Sequence, residues 1–239
     1  MVSARCFFQS LTTGRGMQPF QREFIDFMVR SGVLTFGDFT TKSGRKTPFF
    51  INTGKYRTGD QMNQLARFYC DAIQTRDVQF DFLFGPAYKG IPLVVAISME
   101  FSRRGRNYPF CFNRKEAKDH GEGGMLVGHA PAFGERVLIV EDVTTAGTSV
   151  RETVPLLRAA AGVELAGLVV SVDRMERGPG ELNALTELQR EFRMAAFAIT
   201  NIGQIADDLR NREVDGRVVV TEDLYEKIRR YRMEYGGRE

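Results

Sequence analysis

The sequence predicts an α/β protein whose central sheet is mostly parallel and flanked by helices. Three observations carry that prediction. The run Val137-Leu-Ile-Val140 is apolar without alternation, as expected of a strand buried on both faces. From Phe80 onward, strand-like and helix-like segments alternate. Two strand ends, at Phe84 and Val140, run directly into small, glycine-containing turns that open helices, the place where open α/β sheets bind ligands.

The elements follow in chain order. Phe20, Phe24, Phe27 and Met28 mark one face of a helix over 18–30, which Gly32 ends. Residues 33–51 are rich in β-formers and are broken by a turn at Ser43-Gly44. Met62, Ala66, Tyr69 and Ile73 define a second helix face. A strand over 80–84, a helix over 91–101 and a strand over 108–112 follow. Next come a long polar segment to Gly124, a strand over 136–140 and a helix over 149–161. Ser149 with Glu152 three positions later fits a capping box at the start of that helix. Strands over 165–172 and 194–199 and a last helix over 221–235 complete the chain. Residues 1–16 read as an extension of undefined role and 17–239 as one domain, because no repeat, low-complexity tract or linker divides them.

Composition excludes several classes. The chain has 239 residues, enough for a full core, and 43% are hydrophobic, which is ordinary for a globular protein. No apolar run reaches the length of a membrane-spanning helix. A net charge of +3 is too small to argue for nucleic acid, but its basic residues cluster, which suits a polyanionic small molecule. Cys6, Cys70 and Cys111 match no zinc spacing. They read as free thiols in a reducing compartment, and the cytoplasm is the expected location. Arg5 and Arg15, with no acid in the first 16 residues, give that stretch a faint likeness to a transit peptide. A plain extension before a start at Met17 is the favoured alternative.

Three constellations carry chemistry. The first is Glu141-Asp142-Val143-Thr144-Thr145-Ala146-Gly147-Thr148-Ser149. Its two carboxylates sit at a strand's carboxyl end, and the small residues after them leave backbone N–H groups free to close around a phosphate. The second is Phe84-Gly-Pro-Ala-Tyr-Lys-Gly-Ile91. Gly85 and Gly90 permit a tight turn that presents Lys89 to a diphosphate, although a solvated surface lysine is the plainer alternative. The third is Asn113 to Gly124, polar throughout and ending in glycines. Arg114, Lys115, Lys118 and His120 make it either an electropositive lid or an ordinary charged surface loop. His129, outside that segment, reads as a plain surface residue.

The segment from Glu141 to Ser149 resembles the signature of type I phosphoribosyltransferases. The stretches Phe36-Gly-Asp-Phe-Thr40, Lys42-Ser-Gly-Arg-Lys46, Phe84 to Gly90, Arg114 to Gly124 and Asp173-Arg-Met-Glu-Arg-Gly178 together resemble the bacterial orotate phosphoribosyltransferase family, in order, from Met17 to the C-terminus. The resemblance implies a type I phosphoribosyltransferase fold with a small hood from the N-terminal segment. It implies a homodimer in which the lid of one subunit completes the other's site. The implied reaction joins orotate and 5-phosphoribosyl 1-diphosphate, with Mg²⁺, into orotidine 5'-phosphate and diphosphate.

The family pattern also assigns roles. Glu141 and Asp142 bind the ribose 2- and 3-hydroxyls, and the loop Val143, Thr144, Thr145, Ala146, Gly147, Thr148 and Ser149 wraps the 5-phosphate. Tyr88, Lys89, Arg114, Lys115 and Lys118 serve the diphosphate, and His120 hydrogen-bonds or protonates it. Arg174 pairs with the orotate carboxylate, while Lys42, Thr145 and Phe50 line the same pocket. Ile51 stands where a second Phe is common, so it contributes mainly backbone. Glu141 replaces a first Asp and keeps the carboxylate. Mg²⁺ is expected on substrate oxygens and water, with no direct protein ligand. Two plainer roles stand beside these: Arg174 as an ion-pair partner of Asp173 or Glu176, and Phe50 as a core residue. The rival functions are a purine or uracil phosphoribosyltransferase, which would lack the Arg114–Gly124 lid, and a non-catalytic phosphoribosyl-diphosphate sensor.

Overall fold

The chain's computed structural model describes residues 16–41, 44–116, 125–144, 146–178 and 180–238. The N-terminal extension up to residue 15, with Cys6, lies outside them, as do Lys42, Lys118, His120 and Thr145.

Helix α1 (Pro19–Arg30) starts at a proline, whose fixed φ and missing N–H suit the first turn, and the Gln21 side chain accepts from the Gln18 N–H at 2.8 Å. Its buried face is Phe24, Ile25, Phe27 and Met28. Strands β1 (Leu34–Thr40) and β2 (Lys46–Ile51) form an antiparallel pair that is separate from the main sheet. Helix α2 (Gly59–Arg76) is opened by a capping box of Thr58 and Gln61 and buries Ala66, Tyr69 and Ile73.

The main sheet is built from β3 (Phe82–Gly85), β4 (Phe110–Asn113), β5 (Leu126–Gly128), β6 (Arg136–Val140), β7 (Val143–Thr144), β8 (Glu164–Asp173) and β9 (Ala195–Asn201). Among the described residues its order is β5-β4-β3-β6-β8-β9, with β7 pairing the far end of β8. Every pairing is parallel except β4 with β5. Helices α3 (Gly90–Arg103), α4 (Thr148–Ala161), α5 (Ala184–Phe192), α6 (Ile202–Leu209) and α7 (Glu222–Tyr235) connect or follow the strands. A small hairpin of β10 (Glu213–Val214) and β11 (Arg217–Val218) precedes α7.

Both faces of the sheet are covered, which is why its strands lack alternation. Leu138 and Val140 belong to the core shared with α1, α2, α3, α6 and α7. Val137 and Ile139 belong to the core shared with α4 and α5. The β1–β2 pair lies against α7, where the Phe49 ring meets the Tyr231 ring edge-on at 5.6 Å. It is the layer that the resemblance describes as a hood.

Two expectations and one plainer alternative are corrected. The capping box at Ser149 is not formed. The residue that opens α4 is Gly147, in the left-handed region at φ 72, and Ser149 already lies inside the helix. His129 is not a plain surface residue: its Nε2 meets the Glu135 carboxylate at 2.9 Å and its ring packs on Phe82 at 5.1 Å. Phe50 is not a core residue, since 42% of it is exposed, whereas its neighbour Phe49 is fully buried.

Candidate active site

The site lies where β3 and β6 end side by side. The pairing register sets Phe84 beside Ile139, so the turn after β3 and the two acids after β6 emerge at one edge. The turn is very tight. A Cβ on Gly85 would lie 2.2 Å from the Gly90 carbonyl oxygen, and one on Gly90 would lie 2.7 Å from the Gly85 carbonyl carbon, so both positions require glycine. The Ala87–Tyr88 peptide is cis, and the Ala87 N–H donates to Asn113 Oδ1 at 2.8 Å, which ties the turn to β4. Tyr88 is 72% exposed.

The two acids are buried and their backbone is pinned. The Tyr69 hydroxyl donates to the Glu141 carbonyl at 2.7 Å, and the Ser171 hydroxyl donates to the Asp142 carbonyl at 2.6 Å. The side chains then take different partners. Glu141 turns back, and its Oε1 accepts from the Asp142 N–H at 3.0 Å. Asp142 faces the turn, where its Oδ2 accepts from Lys89 Nζ at 2.8 Å and from the Thr53 hydroxyl at 2.6 Å. Thr53 belongs to a 3₁₀ turn, Thr53–Lys55, just after β2, and nothing in the sequence reading marks it.

These partners, with the charge of Asp142 beside Glu141, set the protonation of each. Burial pushes the Glu141 carboxyl up to about 7, partly opposed by the Ser149 hydroxyl. Burial also acts against the Asp142 charge, but Lys89 and Thr53 more than offset it and hold the carboxylate below its ordinary range. The pair is thus split in charge: the environment favours the ionised form of Asp142 and the protonated form of Glu141.

The sign of the Glu141 effect on stability is testable. Below about pH 4.5 the carboxyl is protonated folded or unfolded. Between there and about 7 the unfolded chain releases the proton while the folded one keeps it, so stability falls as pH rises through that window. Glu141→Gln lacks this slope. Its Tm is expected to match the unmodified protein's near pH 5 and to exceed it by several degrees near pH 8. Equal Tm differences at the two pH values would refute the assignment.

The loop after the acids ends on a helix N-terminus, as a phosphate site requires. Val143 and Thr144 pair with β8, the Thr144 hydroxyl accepts from the Gly147 N–H at 3.1 Å, and Thr148 and Ser149 form the first turn of α4. Arg151 donates to the Ala146 carbonyl and braces the loop from below. Lys115 Nζ lies 3.9 Å from Glu152 on α4, which brings the start of the Arg114 segment beside the same loop.

Arg174 is 8% exposed and sits at the end of β8. Its Nε and Nη2 donate to Glu176 Oε1 at 3.0 and 2.5 Å, and its guanidinium lies 4.7 Å above the Phe49 ring. Phe50, one residue on, points to the opposite, exposed side of β2 with Phe39 at 5.6 Å, and Ile51 packs against the core. A cavity of about 400 Å³ opens beside Asp142 and Lys89, walled by Met62, Leu65, Tyr69 and Leu93.

A parallel sheet with an acid pair and a helix-capping loop at one strand end, facing a lysine-bearing turn at the next, defines a phosphoribosyltransferase-type site. The family model for the phosphoribosyl transferase domain matches residues 58–192. The orotate phosphoribosyltransferase of Clostridium acetobutylicum is 51% identical over 222 residues, covering 92% of this chain and 99% of that protein. The one from Clostridium beijerinckii is 50% identical over 224 residues, covering 93% and 100%. The crystal structure of orotate phosphoribosyltransferase from Francisella tularensis superposes with a TM-score of 0.78 at 37% identity, covering 90% of this chain and 100% of that one. The chain belongs to the orotate phosphoribosyltransferase family.

Proposed function

We propose that the protein transfers the phosphoribosyl group of 5-phosphoribosyl 1-diphosphate to orotate, giving orotidine 5'-phosphate and diphosphate in de novo pyrimidine (UMP) synthesis. The observation that carries this reading is the ion pair of Lys89 with Asp142 at 2.8 Å, at the mouth of a phosphate-binding loop. Cleavage at the anomeric carbon builds positive charge on the ribose and negative charge on the departing diphosphate. Groups of opposite sign already fixed on either side are worth more in that transition state than before it. Asp142 faces the ribose, with Glu141 beside it, and Lys89 and the backbone of the Tyr88 turn face the diphosphate. The loop 143–149 takes the 5-phosphate. Arg174 offers the Nη1 end of its guanidinium to the orotate carboxylate, with the Phe50–Ile51 segment of β2 along the ring and Lys42 and Thr145 as further contacts.

Mg²⁺ is the proposed cofactor. The hard oxygen donors at the site, Glu141 and Asp142, are already engaged by Ser149, Lys89 and Thr53. Among the described residues no group of three or more His, Cys, Asp or Glu side chains forms a candidate cage. A hydrated cation carried on substrate oxygens fits that donor set. When bound, it offsets charge on the diphosphate.

The lid Arg114–Gly124, with Arg114, Lys115, Lys118 and His120, closes over the diphosphate, and the working unit is a homodimer whose subunits exchange lids. The proposed location is the cytoplasm: no helix among the described residues is long and apolar enough to cross a membrane, and Cys70 and Cys111 are buried free thiols. Lys118→Ala is expected to lower kcat by about a hundredfold while the Kd for orotate changes little, because its charge is needed as diphosphate leaves. Single-turnover kinetics beside orotate titration checks this, and an unchanged kcat with raised KM values would refute it.

Orotate consumption, followed by its ultraviolet absorbance with 5-phosphoribosyl 1-diphosphate and Mg²⁺ present, tests the whole reading. Adenine, hypoxanthine and uracil run in parallel. Loss of orotate that needs both additions is the expected result. Turnover of another base instead would discard the orotate pocket and keep the phosphate sites.

A further inference from the structure

We propose that Thr53 is a positioning residue for this reaction, its hydroxyl joining the segment after β2 to the Lys89–Asp142 pair and fixing the orientation of the Asp142 carboxylate. The proposal rests on the transfer reaction above. Its ground is a closed cycle of three side chains. Lys89 Nζ donates to Asp142 Oδ2 at 2.8 Å and to the Thr53 hydroxyl at 3.1 Å, and that hydroxyl donates to the same Asp142 oxygen at 2.6 Å. The last distance is in the short range expected for a hydroxyl bound to a charged acceptor.

Beside Thr53, the Val143 backbone N–H also donates to the Asp142 carboxylate from the acid's own loop, so Thr53 is the neutral side-chain donor that ties Asp142 to a different segment. The nearby Tyr69 and Ser171 hydroxyls are committed to the backbone carbonyls of Glu141 and Asp142. The cavity wall beyond them is apolar, with Met62, Leu65 and Leu93. Lys89 is the one partner that must be shared, because the diphosphate competes for its ammonium. As Lys89 turns to the diphosphate, Asp142 loses a partner that helped hold it. Thr53 keeps its donated bond through that exchange, since a hydroxyl both donates and accepts and only its accepting side is released. The carboxylate therefore still faces the ribose when the positive charge develops there.

Thr53 also lies two residues beyond Ile51, on the segment that carries the proposed orotate face. The Asn52 side chain accepts from the Gly54 N–H at 3.1 Å and stiffens the turn between them. Seating of the base and orientation of the acid thus share one short piece of backbone.

The test compares the unmodified full chain with Thr53→Val, Thr53→Ala and Thr53→Ser, measuring kcat, the KM for each substrate and Tm. Thr53→Val and Thr53→Ala are expected to lose about tenfold or more in kcat, with both KM values within about threefold of the original. Thr53→Ser is expected to restore kcat to within about threefold, with Tm nearly constant across the set. Retained kcat in Thr53→Val and Thr53→Ala, or a loss that Thr53→Ser does not restore, would overturn the proposal. So would failure of both hydroxyl-free variants to fold, which would make Thr53 structural. Absence of orotate turnover in the unmodified chain is a separate failure: it removes the proposed reaction itself, and the positioning role with it.

Discussion

Arg174→Ala is expected to cost about 3–5 kcal/mol of stability and to raise the KM for orotate about tenfold or more. The stability loss follows from where the guanidinium sits. Arg174 and Glu176 are both nearly buried, and Glu176 also accepts from the Tyr231 hydroxyl at 2.7 Å and from Arg45 at 3.3 Å. Removing Arg174 leaves a buried carboxylate served only by a phenol and a half-exposed arginine. The rise in KM follows from the geometry of the fork. Its Nε and Nη2 edge is taken by Glu176, which fixes the plane of the guanidinium over Phe49 and leaves the Nη1 end for a second carboxylate. The plainer role, an internal ion pair alone, predicts something different. In that case Glu176→Gln and Arg174→Ala would lose similar stability, and neither would alter orotate affinity. The double variant Arg174→Met, Glu176→Gln separates the two roles, because pairing neutral groups recovers part of the stability but cannot recover a ligand for orotate. Thermal unfolding and orotate titration of the three variants decide it. Unchanged orotate affinity in folded Arg174→Ala would remove Arg174 from the substrate pocket.

The parts of this architecture that were legible in the sequence are those whose side chains report burial on both faces or backbone constraint. Val137-Leu-Ile-Val140 has no alternation because cores lie on both sides of β6. Gly85 and Gly90 flag a turn in which each backbone would collide with the other's Cβ. Strand β5 has three residues, too few to show a period, and it pairs antiparallel at the sheet edge. Helices α5 and α6, at nine and eight residues, are too short for a decisive helical period beside the stronger strand signals next to them. Ser149 matches a cap by spacing alone, whereas the left-handed Gly147 sets where the helix begins, a choice made by backbone conformation. Phe49 and Phe50 are alike in sequence, and only the strand's alternation sends one beneath Arg174 and the other to the surface. Thr53 was invisible for a related reason: its partners are 36 and 89 residues away, and no local pattern records them.

Asp142→Asn carries the other large effect, and it should separate activity from stability. Turnover is expected to fall by about 10²–10³, the scale on which one fixed electrostatic partner of a transition state acts. The amide keeps the size and shape of the side chain but not the charge, so a ribose that becomes cationic finds no counter-charge on that side. Stability should fall modestly, because Lys89 and Thr53 together favour the charged form of Asp142 in the fold by more than burial opposes it. The loss is limited because burial opposes the Asp142 charge, and Lys89, whose side chain is 59% exposed, returns to water at small cost when its partner is neutralised. A buried carboxylate whose charge depends on a lysine and a hydroxyl placed beside it is a frequent mark of a site kept for chemistry. Tm no more than a few degrees below the unmodified protein's, together with the fall in kcat, is the expected outcome of calorimetry and steady-state kinetics. A kcat within threefold of the original would show that Asp142 does not face the reacting centre. A large fall in Tm would instead make the Lys89–Asp142 pair a stabilising contact, and the acid would then owe its place beside β6 to the fold.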